Sequence, residues 1–166
     1  TVVDANALAS MAKELTSSKG FAFDTETRPL DLEARGVQPM RAGLIGMSFS
    51  MEDGKAWYVP VGHAEGTQLS LEQVLETLRP VLENPDVLKA AHNANYDLTV
   101  LGTNGVTVNG FAFDTMLASH LLGYKAIGLK NMSLDLLGIE MTPITNLIGS
   151  GRNVTTMDKV PIEQVS

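Results

Sequence analysis

An apolar run ending in two carboxylates one residue apart, Gly20-Phe21-Ala22-Phe23-Asp24-Thr25-Glu26-Thr27, constrains this chain more than any other stretch. Read as a buried strand over Phe21 to Thr25, it places Asp24 and Glu26 on the same side of its carboxyl end, because strand side chains alternate with period two. Two acids on one face repel each other unless a cation lies between them, and hard divalent cations such as Mg²⁺ favour carboxylate oxygens. The plainer reading makes both acids caps of the following loop. A lone D-x-E does not decide between the two.

With 166 residues and 44% hydrophobic content, the chain has the size of one domain with a real core. No cysteine is present, so disulfides and thiolate metal sites are excluded. Thr1 to Ser18 lacks the pattern of a signal peptide, and no apolar run nears the roughly twenty residues of a membrane span. The expectation is a cytoplasmic domain. A net charge of −7 argues against a general nucleic-acid coat, which needs a basic patch. It does not argue against an enzyme that takes a nucleic-acid end through metal ions.

Asp4 to Ser17 reads as an amphipathic helix, with Asp4 as N-cap and Leu8, Met11, Ala12 and Leu15 on its buried stripe. Arg28 to Pro39 reads as an irregular loop. Arg41 to Ser50 and Lys55 to Val61 form a hairpin about Asp53-Gly54. Ser70 opens a helix with the capping-box pattern Ser70-x-x-Gln73, its stripe made by Leu71, Val74, Leu75, Leu78 and Leu82. Val87 to Ala91 is a short strand, and Asn93 to Leu101 is a helix. Phe111 to Phe113 is a strand, after which Asp114 caps a helix through Leu122. Leu129 to Leu137 and Pro143 to Ile148 are helical, and Pro161 to Ser166 begins another helix. This order predicts an α/β domain with a mixed sheet flanked by helices.

A second acid, Asp97, falls in the first turn of the helix that starts near Asn93. An acid there gains from the helix dipole, but Asn93 is already available as a cap. A strand ending beside the first would bring Asp97 to Asp24 and Glu26, and three such acids call for a cation.

Taken in order, Phe23-Asp24-Thr25-Glu26-Thr27, Trp57-Tyr58-Val59-Pro60-Val61, Asn93-Ala94-Asn95-Tyr96-Asp97, Phe113-Asp114-Thr115-Met116-Leu117-Ala118-Ser119 and Ile139 to Gly149 resemble the proofreading 3′–5′ exonuclease domain of bacterial family A DNA polymerases, the DNA polymerase I type. The resemblance implies a ribonuclease-H-like fold over residues 1–166 and a nuclease of the DEDD superfamily using two divalent ions, Mg²⁺ or Mn²⁺ with Zn²⁺ as an alternative. Carried over, Asp24 bridges both metals, Glu26 binds the ion that activates water, and Asp97 holds the second through its waters. Thr25, Asn93 and Tyr96 meet the terminal nucleotide, while Leu30 and Ile144 wedge against the last bases. The implied partners are the 3′ end of single-stranded DNA and a polymerase domain of the parent chain, in a monomer of the bacterial cytoplasm, associated with the nucleoid.

The family's third motif, Tyr-x-x-x-Asp, has no counterpart. Tyr124 is followed by no acid at the required place, and Asp158 has no tyrosine before it. The tyrosine aligns two residues beyond Ser166, so the expectation is a domain cut before its closing helix, with a naturally impaired nuclease as the rival. Without that motif, activity is expected to fall by orders of magnitude. Two other functions compete: an RNase D-like exonuclease acting on RNA, and a non-catalytic module that binds a 3′ end or braces a polymerase. His63 reads as a surface residue, His92 as packing near the site and His120 as a packed residue. Lys130 and Arg152 are candidate phosphate contacts, with solvent-facing roles as the simpler reading.

Overall fold

The computed structural model describes residues 1–31, 38–151 and 154–165. Five strands form one mixed sheet: β1 (Gly20–Pro29), β2 (Ala42–Glu52), β3 (Lys55–Pro60), β4 (Leu88–Ala91) and β5 (Phe111–Asp114). Their order is β3-β2-β1-β4-β5, with β1, β2 and β3 antiparallel and β1, β4 and β5 parallel. The helices are α1 (Ala5–Ser17), α2 (Leu71–Leu82), α3 (Ala94–Thr103), α4 (Thr115–Leu121), α5 (Leu129–Leu137), α6 (Ile144–Ile148) and α7 (Ile162–Val165). The expected α/β architecture is present.

The helix starts follow from local chemistry. Asp4 Oδ1 accepts the Asn6 and Ala7 amides at 3.0 and 2.9 Å, and α1 buries Leu8, Met11 and Leu15. Ser70 Oγ accepts the Gln73 amide at 3.3 Å, and α2 buries Val74, Leu75, Leu78, Val81 and Leu82. Those stripes meet one face of the sheet, where Phe21 and Phe23 of β1 lie beside Phe49 and Met47 of β2. Each such side chain contributes about 1.5–3 kcal/mol when fully buried.

The central strand is longer than its apolar run suggests. β1 continues to Pro29 because β2 keeps pairing with it, Thr27 to Leu44 and Pro29 to Ala42, after a bulge between Glu26 and Thr27. The expected loop therefore begins later than Arg28; residues 32–37 and Arg152 lie outside the described residues.

The opposite face of the sheet is built from small or polar side chains, among them Ala22, Asp24, Ser48, Ser50 and Ala56. Beside it, Phe113 of β5, Leu117 and Leu121 of α4, the following Leu122, and Leu137 of α5 are open to solvent, Leu121 by 85%. His120, expected to be packed, is exposed because none of the described residues covers this side of α4. Lys130 also faces solvent.

His63 corrects the expectation of a surface histidine. It is buried, with Nε2 2.7 Å from the Tyr58 hydroxyl and Nδ1 3.0 Å from the Val160 carbonyl oxygen. Its backbone is clamped by Gln68, whose Oε1 accepts the His63 amide while Nε2 donates to the His63 carbonyl. The partners stand up to 97 residues away in sequence, so local spacing gave no sign of them.

Candidate active site

Alternation along β1 buries Phe21, Phe23 and Thr25 on the core side and turns Asp24 and Glu26 to the other. β1 is also where the sheet changes from antiparallel to parallel pairing. Carboxyl ends of parallel strands at such a switch commonly form binding crevices.

Asp97 is delivered to the same point by α3, which follows the neighbouring parallel strand β4. Its side chain is 3% exposed, and its Oδ1 accepts two hydrogen bonds from Thr25, one from the amide at 2.9 Å and one from the hydroxyl at 2.5 Å. Thr25 is the residue between Asp24 and Glu26. Two segments 72 residues apart are thereby joined at the acids themselves. Thr25, expected to meet a nucleotide, is bonded here to Asp97.

Electrostatics record the crowding. Partial burial, then repulsion from Asp97 and Glu26, pushes the Asp24 carboxyl up to about 7 although it stays open to solvent. Burial and Asp97 raise Glu26 above the usual carboxylate range. Burial also raises Asp97, against the pull of the Thr25 bonds, with Asp114 adding repulsion. A set of hard oxygen donors carrying unrelieved negative charge fits a divalent cation. Among the described residues no three His, Cys, Asp or Glu side chains are grouped closely enough to grip one ion together.

Glu26 opens into a cleft of about 330 Å³ with Thr27, Pro29, Tyr96, Ile144 and Ile148. The Tyr96 hydroxyl lies 2.7 Å from Thr27 Oγ1, and Ile144 is 55% exposed. Leu30, 59% exposed at the end of β1, packs over Gly43. Asp24 opens into a second hollow of about 240 Å³, lined by Ala22, Ser48, His92, Thr115 and Leu129 among others. His92 thus shares a wall with Asp24, its Nδ1 2.8 Å from Thr115 Oγ1.

Asn93 departs from its expected capping role. It has left-handed backbone, φ 61°, and its side chain makes no cap bond; the Asn93 and Ala94 amides are bound by Asp114 instead. Sequence reasoning saw Asp114 only as a cap for its own helix. The Tyr58 ring beside Glu26 was also missed. In register, Gly46 faces Glu26, and the bare Gly46 backbone leaves room for the Tyr58 hydroxyl.

A family model described as 3′-5′ exonuclease, of the DNA polymerase A type, matches residues 1–152. The chain is 39% identical over 167 residues to DNA polymerase I of Chloroflexus aurantiacus, covering 99% of this chain and 17% of the polymerase. It is 33% identical over 170 residues to DNA polymerase I of Pseudomonas aeruginosa, covering 98% and 18%. The chain therefore spans less than a fifth of these relatives. The crystal structure of Escherichia coli RNase D, an exoribonuclease involved in structured RNA processing, superposes with a TM-score of 0.63 at 17% identity over 93% of this chain and 37% of that one, a likeness of fold.

Proposed function

Given that the chain belongs to the 3′–5′ exonuclease domain family of DNA polymerase I, we propose that it removes 3′-terminal nucleotides from single-stranded DNA, as the proofreading part of a bacterial cytoplasmic polymerase. The observation that carries this reading is the pair of bonds from Thr25 to Asp97, which assembles Asp24, Glu26 and Asp97 at one strand end.

In this reading Asp24 and Glu26 would hold divalent metal directly, with Asp97, anchored by Thr25 through Oδ1, beside them. Two such ions supply an activated water and charge stabilisation for the leaving oxygen. The chain's own residues do the rest. The Glu26 cleft receives the terminal nucleotide, Ile144 and Leu30 offer apolar surface to its base, and the exposed Asn93 side chain and Tyr96 hydroxyl bind its polar edge. Thr27 fixes the Tyr96 hydroxyl and so the width of that cleft.

The resemblance pairs these acids with a further carboxylate and a water-orienting tyrosine, a Tyr-x-x-x-Asp motif that the 166 residues do not contain. RNA as substrate has the likeness of fold to RNase D behind it, whereas the relatives of higher identity are DNA polymerases.

The test is release of nucleotide from a 3′-labelled DNA strand in Mg²⁺ or Mn²⁺, by this chain and by one extended by about thirty residues bearing a Tyr-x-x-x-Asp helix. The extended chain is expected to degrade the strand, with Asp24→Ala abolishing activity. Binding of metal and DNA without cleavage in the extended chain identifies a binding module instead.

A further inference from the structure

Asp114 bonds to four backbone amides on two elements. Its Oδ1 accepts from Met116 at 2.8 Å, Leu117 at 3.3 Å and Asn93 at 3.0 Å, and its Oδ2 accepts from Ala94 at 2.9 Å. It is therefore the N-cap of α4 and, at the same time, binds the amides that open α3. Thr115 continues the contact: its hydroxyl lies 2.8 Å from His92 Nδ1 and donates to the Ala91 carbonyl at 3.4 Å. Two adjacent residues at the β5–α4 junction thus grip His92, Asn93 and Ala94 at the β4–α3 junction.

The gripped elbow is unusual. Among the described residues Asn93 is the one non-glycine with positive φ, a conformation L residues adopt reluctantly. Its own side chain makes no cap bond. The restraint comes from outside, from a carboxylate that stays ionised: burial pushes Asp114 up, but the bonds from Ala94, Asn93, Leu117 and Met116 outweigh this and hold it below the usual range. Asp97 sits one turn further along α3, so the direction of that first turn decides whether its carboxylate reaches Thr25.

We infer that Asp114, with Thr115, is a positioning residue of the candidate active site: the pair sets the elbow that leaves the Asn93 side chain exposed and aims Asp97 at Thr25. The use made of Asn93 and Asp97 rests on the proposed exonuclease reading; the clamp itself does not.

The experiment measures Mn²⁺ affinity by calorimetry on the full chain and its Asp114→Ala, Asn93→Gly and double variants, with amide shifts of Asn93 and Ala94 read by NMR. Asp114→Ala is expected to weaken Mn²⁺ binding about tenfold, the usual scale for a residue behind a metal ligand, and to move both amides. Asn93→Gly alone is expected to leave the Mn²⁺ affinity near wild type, since glycine adopts the left-handed region freely, while its missing side chain weakens the nucleotide contact assigned to Asn93. In the double variant glycine is expected to restore most of the lost affinity, a non-additivity that a merely structural loss does not produce. If Asp114→Ala fails to fold, Asp114→Asn takes its place in every measurement. Wild-type affinity with unmoved amides overturns the inference, as does a double variant no better than Asp114→Ala. If the wild type binds no Mn²⁺, or Asp24→Ala binds it equally well, the metal reading fails, and the amide shifts alone decide the clamp.

Discussion

The Tyr58 hydroxyl meets His63 Nε2 at 2.7 Å in the space that a side chain on Gly46 would occupy. A Cβ at position 46 would fall 2.1 Å from that hydroxyl oxygen. Gly46→Ala therefore forces the tyrosine out of its bond with a buried histidine. The expected loss is about 1–3 kcal/mol, as for other overpacked cores, seen in urea or thermal unfolding. Unchanged stability would show that the Tyr58 ring has another place to go.

Stability should depend on pH in the direction opposite to ordinary acid denaturation. Asp24, Glu26 and Asp97 all have folded-state carboxyls raised above the unfolded range. The folded chain binds more protons than the unfolded one across that interval, so stability is full below about pH 4 for these groups and is lost as pH rises through about 7. The openness of Asp24 limits its part to about 1 kcal/mol, roughly 2–4 °C in Tm for a chain of this size. In chelator, Tm should rise from pH 8 to pH 5.5, and Asp24→Asn should raise Tm at pH 8 while removing Mn²⁺ binding. A Tm that falls on this mild acidification contradicts the electrostatic account.

Thr25→Val keeps the amide bond to Asp97 and removes the hydroxyl bond. A hydrogen bond to a buried charged group contributes about 1.5–3 kcal/mol, and the variant should lose that much in urea unfolding. It should also bind Mn²⁺ more weakly, because Asp97 then has one anchor. Thr25→Ser should restore both.

Ile144→Ala separates contact from folding. The side chain is mostly exposed, so Tm should shift by less than about 0.5 kcal/mol equivalent. Affinity for a short single-stranded thymidylate should drop about fivefold, roughly 1 kcal/mol of apolar contact. Equal affinity would remove Ile144 from the nucleotide cleft.

Much of this architecture is written locally. Asp4 and Ser70 cap their helices as their positions suggest, the stripes of α1 and α2 bury nearly as their spacing predicts, and β1 alternates as its sequence requires. What escaped depends on partners distant in sequence. His63 is buried by Tyr58 and by a carbonyl 97 residues on, and the Asn93 amide is bound by Asp114, 21 residues on. His120 shows the converse: the amphipathic spacing of α4 points to a buried face, but none of the described residues covers it. The strand extension to Pro29 was set by β2, whose pairing outlasts the apolar run of β1.

The placement of the acids on the middle strand has a kinetic meaning. β1 is held by β2 along one side, by β4 on the other as far as Ala22, and beyond it by the Asp97 carboxylate of α3, which takes the Thr25 amide. Opening the site therefore requires breaking the sheet through its centre, whereas α5 and the exposed end of α4 can fray alone. Deuterium should enter the amides of α5 early and that of Thr25 among the last, so the acids stay in register until the whole domain unfolds.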